Sequence, residues 1–302
     1  MTLFPYNRSQ TIRIIFIIAV IAIVIRLILD SRFATSALLY LAVPFVVSVL
    51  IHQFIPYETD DTRSRQLFNH LRDATVVMLA TSFILFEGFI CVLMFMPIYY
   101  LCALIHYAFT RSQDFTTMKV VVVPVVIAVL SLEGMFPVTS LPRKAQATHV
   151  AVVDGSIAEL KANMAAPIAF EGERNWFLSI FPLPVSVDAG SLNAGDVHRL
   201  DFIYKRWFYT NVHKGSFALE ISDVGPDFVR TTVIENTSYL ASYVQIDGTQ
   251  VQFRELAGGQ TEVSLTVNYH RKLDPAWYFG PLQNYAFERS AAYLIDTVIA
   301  RK

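Results

Sequence analysis

The sequence is short of charge and of cysteine. Its 302 residues are 16% charged, against about 25% in an ordinary soluble domain. The 24 basic side chains nearly cancel the 25 acidic ones, leaving a net charge of -1. That balance offers no electrostatic footprint for a polyanion, so DNA and RNA binding are excluded. The two cysteines, Cys91 and Cys102, stand in no CxxC or Cys/His pattern, which excludes a disulfide framework, a zinc finger and a thioredoxin-like centre. HExxH, GxSxG, the P-loop and GxGxxG are all absent, and the seven histidines lack metal-ligand spacing. Metalloprotease, α/β-hydrolase, kinase and dehydrogenase chemistry find no support, and neither a metal nor a cofactor is expected.

What is abundant is apolar surface: 54% of the chain, with 23 Phe and 14 Tyr. It is concentrated before about residue 137, where only 9 of the 24 Lys and Arg and 8 of the 25 Asp and Glu fall. Ile12 to Leu29 is apolar apart from Arg13 at its mouth and Arg26 near its far end, and as a helix it nearly crosses a hydrocarbon core of ~30 Å. The run is longer than the apolar core of a secretory signal, and Ala34-Thr35-Ser36 is a weak cleavage site, so it reads as a first span. Ala37 to Ile55 returns as a second, Pro44 being tolerable among neighbouring helices. Pro56 to Asp73 is too charged for hydrocarbon and reads as an aqueous loop or surface helix.

Thr75 to Phe109 is too long for one crossing and too short for two. Pro97 is expected to divide it into a membrane helix ending near Met96 and an interfacial piece carrying Tyr99, Tyr100, His106 and Tyr107. Val120 to Phe136 completes an α-helical membrane domain of four crossings over residues 1–137. Arg8, Arg13, Arg63, Arg65, Arg72, Arg143 and Lys144 fall on one side, against Arg26, Arg32, Arg111 and Lys119 on the other. The first side is then the cytoplasm, in a multi-pass protein of the inner (plasma) membrane, with membrane lipids as neighbours; a fifth crossing would move the second half to the other face. Arg26, Glu87 and Glu133 are the polar residues within these spans. The acids are either hydrogen-bonded packing groups or parts of a proton or ion pathway, and Arg26 either pairs with Glu87 or snorkels outward.

Residues 138–147 form a linker whose Arg143-Lys144 pair suits anionic headgroups, and from Thr148 the apolar period changes to two. His149 to Val153 reads as a strand. Ser156 with Glu159 three positions later forms a capping box that opens a helix through about Met164. Strands are expected at Asp196 to Tyr204, Phe217 to Ser222, Phe228 to Asn236, Tyr239 to Ile246, Gln250 to Leu256 and Glu262 to Lys272, with Asp247-Gly248 and Gly258-Gly259 as hairpin turns. A terminal helix from Asp274-Pro275 presents Tyr278, Leu282, Tyr285, Arg289, Ala292 and Ile295 near helical spacing. Residues 148–302 are thus α+β, an antiparallel sheet with a long C-terminal helix on its dry side.

The segment from Asp247-Gly248-Thr249-Gln250 through Gly258-Gly259 to Asn268-Tyr269-His270-Arg271, followed by Leu273-Asp274-Pro275-Ala276-Trp277-Tyr278, resembles the last hairpin and the closing helix of the START-like superfamily (helix-grip, polyketide cyclase/dehydrase and lipid transport). The resemblance covers about Thr148 to Arg301. It implies a hydrophobic or amphipathic small molecule held between sheet and helix, with or without a reaction.

Within such a cleft, Arg206 and Trp207 either close one end over an anionic head or form an exposed edge. Tyr204, Tyr239, Tyr243, Tyr269, Trp277 and Tyr278 supply hydroxyls and an indole donor or else join the core. His198 shares a face with Phe202 and is either an acid–base group in the cavity or a structural histidine. The function expected is membrane-anchored binding of a hydrophobic, lipid-like small molecule. A cyclase, dehydrase or hydrolase and a membrane-bound adaptor for a protein partner are the alternatives, and no residue is assigned as catalytic.

Overall fold

The computed structural model describes residues 35–54, 62–84, 89–111, 125–134, 136–168, 170, 174–188, 190–207 and 210–301. The chain divides into two compact units. One holds Met1–Leu141 together with Leu273–Tyr278, and the other Pro142–Lys272 with Phe279–Lys302.

In the first unit a π-helical turn at Leu38–Ala42 leads into α1 (Val43–Phe54), followed by α2 (Arg63–Ile84), α3 (Phe89–Arg111) and a short helix over residues 125–130. Pro44 lies in the first turn of α1, directly after the π-helical turn. Ala37, Leu41, Phe45, Ile98, Cys102 and Ile127 form a buried cluster against which Tyr278 packs. One expectation is corrected. Pro97 lies inside α3 rather than ending it, with Phe95 braced edge-on by Tyr40 and Tyr99. Of the aqueous loop or surface helix expected before Asp73, helix is present from Arg63, where α2 starts and carries Arg65, Arg72 and Asp73 on its first half. Among the described residues no helix is long and apolar enough to cross a membrane. There the four-crossing expectation finds no support. The whole of Ile12 to Leu29, Arg26 included, and also Glu87 lie outside the described residues.

The second unit is a seven-stranded antiparallel sheet, β1 (Lys144–Asp154), β2 (Pro184–Asp188), β3 (Val197–Trp207), β4 (Thr210–Val224), β5 (Phe228–Asn236), β6 (Val244–Glu255) and β7 (Gln260–Arg271), in the order β1-β7-β6-β5-β4-β3-β2. Helix α4 (Ile157–Ala165) follows β1, and Ser156 caps it by accepting the Glu159 N–H at 3.3 Å. The last helix, α5 (Ala276–Leu294), ends in a π-helical turn at Ile295–Ile299. Sheet and terminal helix make a helix-grip fold.

Asp247-Gly248 is not the expected hairpin turn. Tyr239–Ser242 is a 3-10 turn, and β6 runs unbroken through Asp247, where Ile246 pairs with Tyr269 and Gly248 with Asn268. Asp247 is the extra residue of a β-bulge. Gly248 has no alternative there, since a Cβ on it would lie 2.0 Å from the Thr231 carbonyl oxygen. The Gly258-Gly259 turn, with φ of +86° and +77°, joins β6 to β7 as expected.

The buried face of α5 is also displaced from the one expected. Phe279, Gln283, Ala291 and Ile295 are buried, whereas Tyr285 and Arg289 pair with each other by a cation–π contact and Tyr285 meets Phe177 edge-on. The expected series mixed two stripes because Tyr and Leu occur on both.

Candidate functional site

Cross-strand pairs in an antiparallel sheet put both partners on one face, so the registers define the inner face turned to α5. β7 contributes Val263, Leu265, Val267, Tyr269 and Arg271; β6 contributes Val244, Ile246, Thr249, Val251 and Phe253. Val229, Thr231 and Val233 follow from β5, then Phe217, Leu219 and Ile221 from β4, and His198, Leu200, Phe202 and Tyr204 from β3.

The two halves of this face differ. Toward β7 it is solid: Val229, Val251, Phe253, Val263, Leu265 and Val267 pack with Ala291, Ile295 and Ile299. Toward β3 it is open. Leu200, Phe202, Phe217, Leu219 and Val233 point the same way and yet are only half-buried. The inner face is thus tightly packed toward β7 and partly accessible at these apolar positions toward β3.

Tyrosines line one corner. Tyr204 is 6% exposed and stacks on Tyr239 at 4.4 Å between ring centroids. Tyr239 and Tyr243 share a hydrogen bond between their hydroxyls at 2.9 Å, and His213 meets Tyr239 edge-on. Gln283 of α5, 5% exposed, donates from Nε2 to the Tyr243 carbonyl at 3.3 Å. Tyr269 lies against Phe287 at 4.4 Å; burial pushes its phenol above the usual range, and the nearby Arg271 charge opposes that rise.

Of the residues singled out from sequence, Phe202, Tyr204, Tyr239, Tyr243 and Tyr269 therefore come together around the inner face. His198 is on that face too, but its Nε2–H donates to the Ser191 carbonyl at 2.6 Å. This pins the turn before β3, where hydrogen bonds from Ser191 and Asn193 also hold the Asp196 carboxyl below the usual carboxylate range. Arg206 and Trp207 end β3, and their side chains lie outside the described residues.

Trp277 and Tyr278 are elsewhere, a correction to their expected place in the cleft. Both belong to the N-terminal unit, Trp277 being 45% exposed and Tyr278 donating its hydroxyl to the Met94 carbonyl. Burial raises the Tyr278 phenol to about 12. Glu133, expected within a membrane span, sits in a turn after the helix of residues 125–130 and accepts the Ala276 N–H at 2.7 Å.

Sequence reasoning missed Gln283 and Arg271, although carrying the alternation of β7 two residues past Tyr269 reaches Arg271. It also missed a buried polar group in the N-terminal unit, where Ser48 Oγ lies 2.8 Å from His70 Nε2 and 3.1 Å from His106 Nδ1. Ser48 bridges the two imidazoles instead of standing at the end of a nucleophile–base–orienter chain, so the group lacks the geometry of a hydrolytic triad. Among the described residues no cluster of three or more His, Cys, Asp or Glu side chains is placed to hold a metal ion.

No family model matches the chain, and no curated protein matches it. Solved structures do resemble it over about half its length. It is similar to a START superfamily protein from Mycobacterium smegmatis, with 12% identity over 51% of this chain and 96% of that one and a TM-score of 0.34. It is also similar to the Zhui aromatase/cyclase from a Streptomyces species, with 12% identity over 52% and 92% and a TM-score of 0.33. A third is norcoclaurine synthase from Thalictrum flavum, crystallised with dopamine and hydroxybenzaldehyde, with 15% identity over 51% and 88% and a TM-score of 0.30.

Proposed function

We propose that the second unit binds a hydrophobic small molecule between the inner face of the sheet and α5, and that the N-terminal half keeps this unit at a membrane. The observation that carries the binding is the row of inward-facing apolar residues on β3 to β5 that α5 leaves half-exposed, Leu200, Phe202, Phe217, Leu219 and Val233. Covering such a row with a ligand removes apolar area from water at about 25 cal/mol per Å². The Tyr204, Tyr239 and Tyr243 corner supplies hydroxyl groups for a ligand with one polar end.

The membrane half of the proposal rests on sequence and surface. Ile12 to Leu29 is nearly free of charge, and around the short helix after it in the same unit Val125, Val129, Phe136 and Val138 are 52%, 60%, 52% and 92% exposed. With the four crossings read from the sequence, the Lys and Arg distribution favours the cytoplasmic side of an inner (plasma) membrane for the binding unit. A ligand that exchanges directly between bilayer and cleft avoids a passage through water.

Organic extraction of the purified full chain, followed by mass spectrometry, tests the binding: a stoichiometric apolar compound is expected, and its absence together with no uptake of dansylundecanoic acid overturns the proposal. Alkaline carbonate washing of membranes tests the anchoring, with the full chain expected to stay in the pellet.

A further inference from the structure

The first N–H groups of a helix have no intrahelical acceptor and carry partial positive charge. In α5 this first turn belongs to the N-terminal unit, while Phe279 onward belongs to the second. Pro275, immediately before the helix, has no N–H to satisfy. The next donor, the Ala276 N–H, is taken by Glu133 Oε1 at 2.7 Å. A carboxylate at this end of a helix is stabilised both by the hydrogen bond and by the helix dipole.

Independent ties hold the same turn. The Asp274 N–H donates to the Thr35 carbonyl at 2.9 Å, and the Tyr278 hydroxyl donates to the Met94 carbonyl while its ring packs on the Ala37, Leu41 and Ile98 cluster. Leu273 and Asp274 are 4% and 2% exposed. Gly134, with φ of +78°, turns the chain directly after Glu133. The first turn of α5 is thus held by a clamp built by Thr35, Met94 and Glu133.

We infer that Glu133 is a positioning residue for ligand retention: its carboxylate fixes the first turn of α5, and any change in the N-terminal unit that withdraws it frays that turn and speeds release of the bound molecule. This inference rests on the binding function proposed above. α5 runs from Ala276 to Leu294 with Pro281 inside it, so its first turn lacks the bond a Pro281 N–H would make and depends the more on the clamp.

The test uses the full chain with two readouts. Hydrogen exchange of a peptide covering residues 274–283 reports the clamp. The dissociation rate of dansylundecanoic acid, followed by energy transfer from the protein's tryptophans during displacement with undecanoic acid, reports retention. Glu133→Ala is expected to raise both rates about fivefold, the usual consequence of losing one helix cap, whereas Glu133→Gln, which keeps an oxygen acceptor, stays within about twofold. Glu133→Asp, which draws the carboxylate back by one methylene, is scored in the same way if the alanine variant does not fold. Unchanged exchange in these variants overturns the clamp. Faster exchange with an unchanged dissociation rate overturns the coupling. A wild-type chain that takes up no probe overturns the binding function and the coupling with it, leaving exchange to judge the clamp alone.

Discussion

Tyr204 and Tyr239 stack with ring centroids 4.4 Å apart and an interplanar angle of 25°, joining the middle of β3 to the turn before β6. The contact ties the open side of the inner face to the side that α5 covers, because Tyr239 also reaches Tyr243, whose carbonyl accepts from Gln283. Tyr239→Ala removes the stack and the hydroxyl pair together and is expected to lower stability by about 2 kcal/mol, the cost of a partly buried aromatic. Tyr239→Phe keeps the stack and costs about 1 kcal/mol or less. Urea denaturation of the two variants separates the contributions.

Leu200 and Phe217 pair across β3 and β4 on the half-exposed part of the inner face. Leu200→Trp or Phe217→Trp fills that space. Affinity for dansylundecanoic acid is expected to fall at least about tenfold with little change in melting temperature, since an open cleft accepts added volume without strain. A solidly packed interior would respond the other way, losing about 1–3 kcal/mol of stability to overpacking.

Two glycines make predictions of different size. A Cβ at Gly248 would stand 2.0 Å from the Thr231 carbonyl oxygen, whereas one at Gly280 meets nothing within 4 Å. Gly248→Ala is expected to lower stability by about 3 kcal/mol through forced separation of β5 and β6. Gly280→Ala, inside α5, trades a gain in helix propensity against the crowding of a Cβ by the following Pro281 ring and is expected to change stability by less than about 1 kcal/mol. Melting temperatures of both variants, measured in parallel, provide the check.

Tyr278 gives the protein a dependence on alkaline pH. Burial lifts its phenol from 10.0 to about 12, so the folded state holds the proton more tightly than the unfolded chain. The stability this contributes is complete below pH 10, falls as pH rises because the unfolded chain ionises first, and is gone above about 12. Tyr278→Phe, which cannot ionise, is expected to flatten the fall in urea midpoint over that window.

Much of the second unit is legible in the residues themselves. Alternation in β7 and the Gly258-Gly259 turn place the last hairpin, and Ser156 with Glu159 places the start of α4, because these are local signals that the final packing reinforces. The sequence-based reading of Asp247-Gly248 fails for a definable reason. The inward residues of β6 change parity there, from Val244 and Ile246 to Thr249, Val251 and Phe253, and a parity change inside one strand signals a bulge just as an Asp-Gly pair signals a turn. Only the partner strand decides between them. Tyr278 and Glu133 were legible as polar groups in apolar surroundings, but their roles depend on contacts between residues more than 140 positions apart, which no local pattern encodes. Ser48, His70 and His106 escaped for the same reason, each from a different helix.

The bulge at Asp247 also has a genetic corollary. Deleting that single codon would leave Ile246 followed by Gly248 and Thr249 in regular alternation, so every greasy side chain of β6 would keep its orientation while the strand lost its bend. Length variation at this one position would therefore reshape the hollow without touching the amino acids that line it.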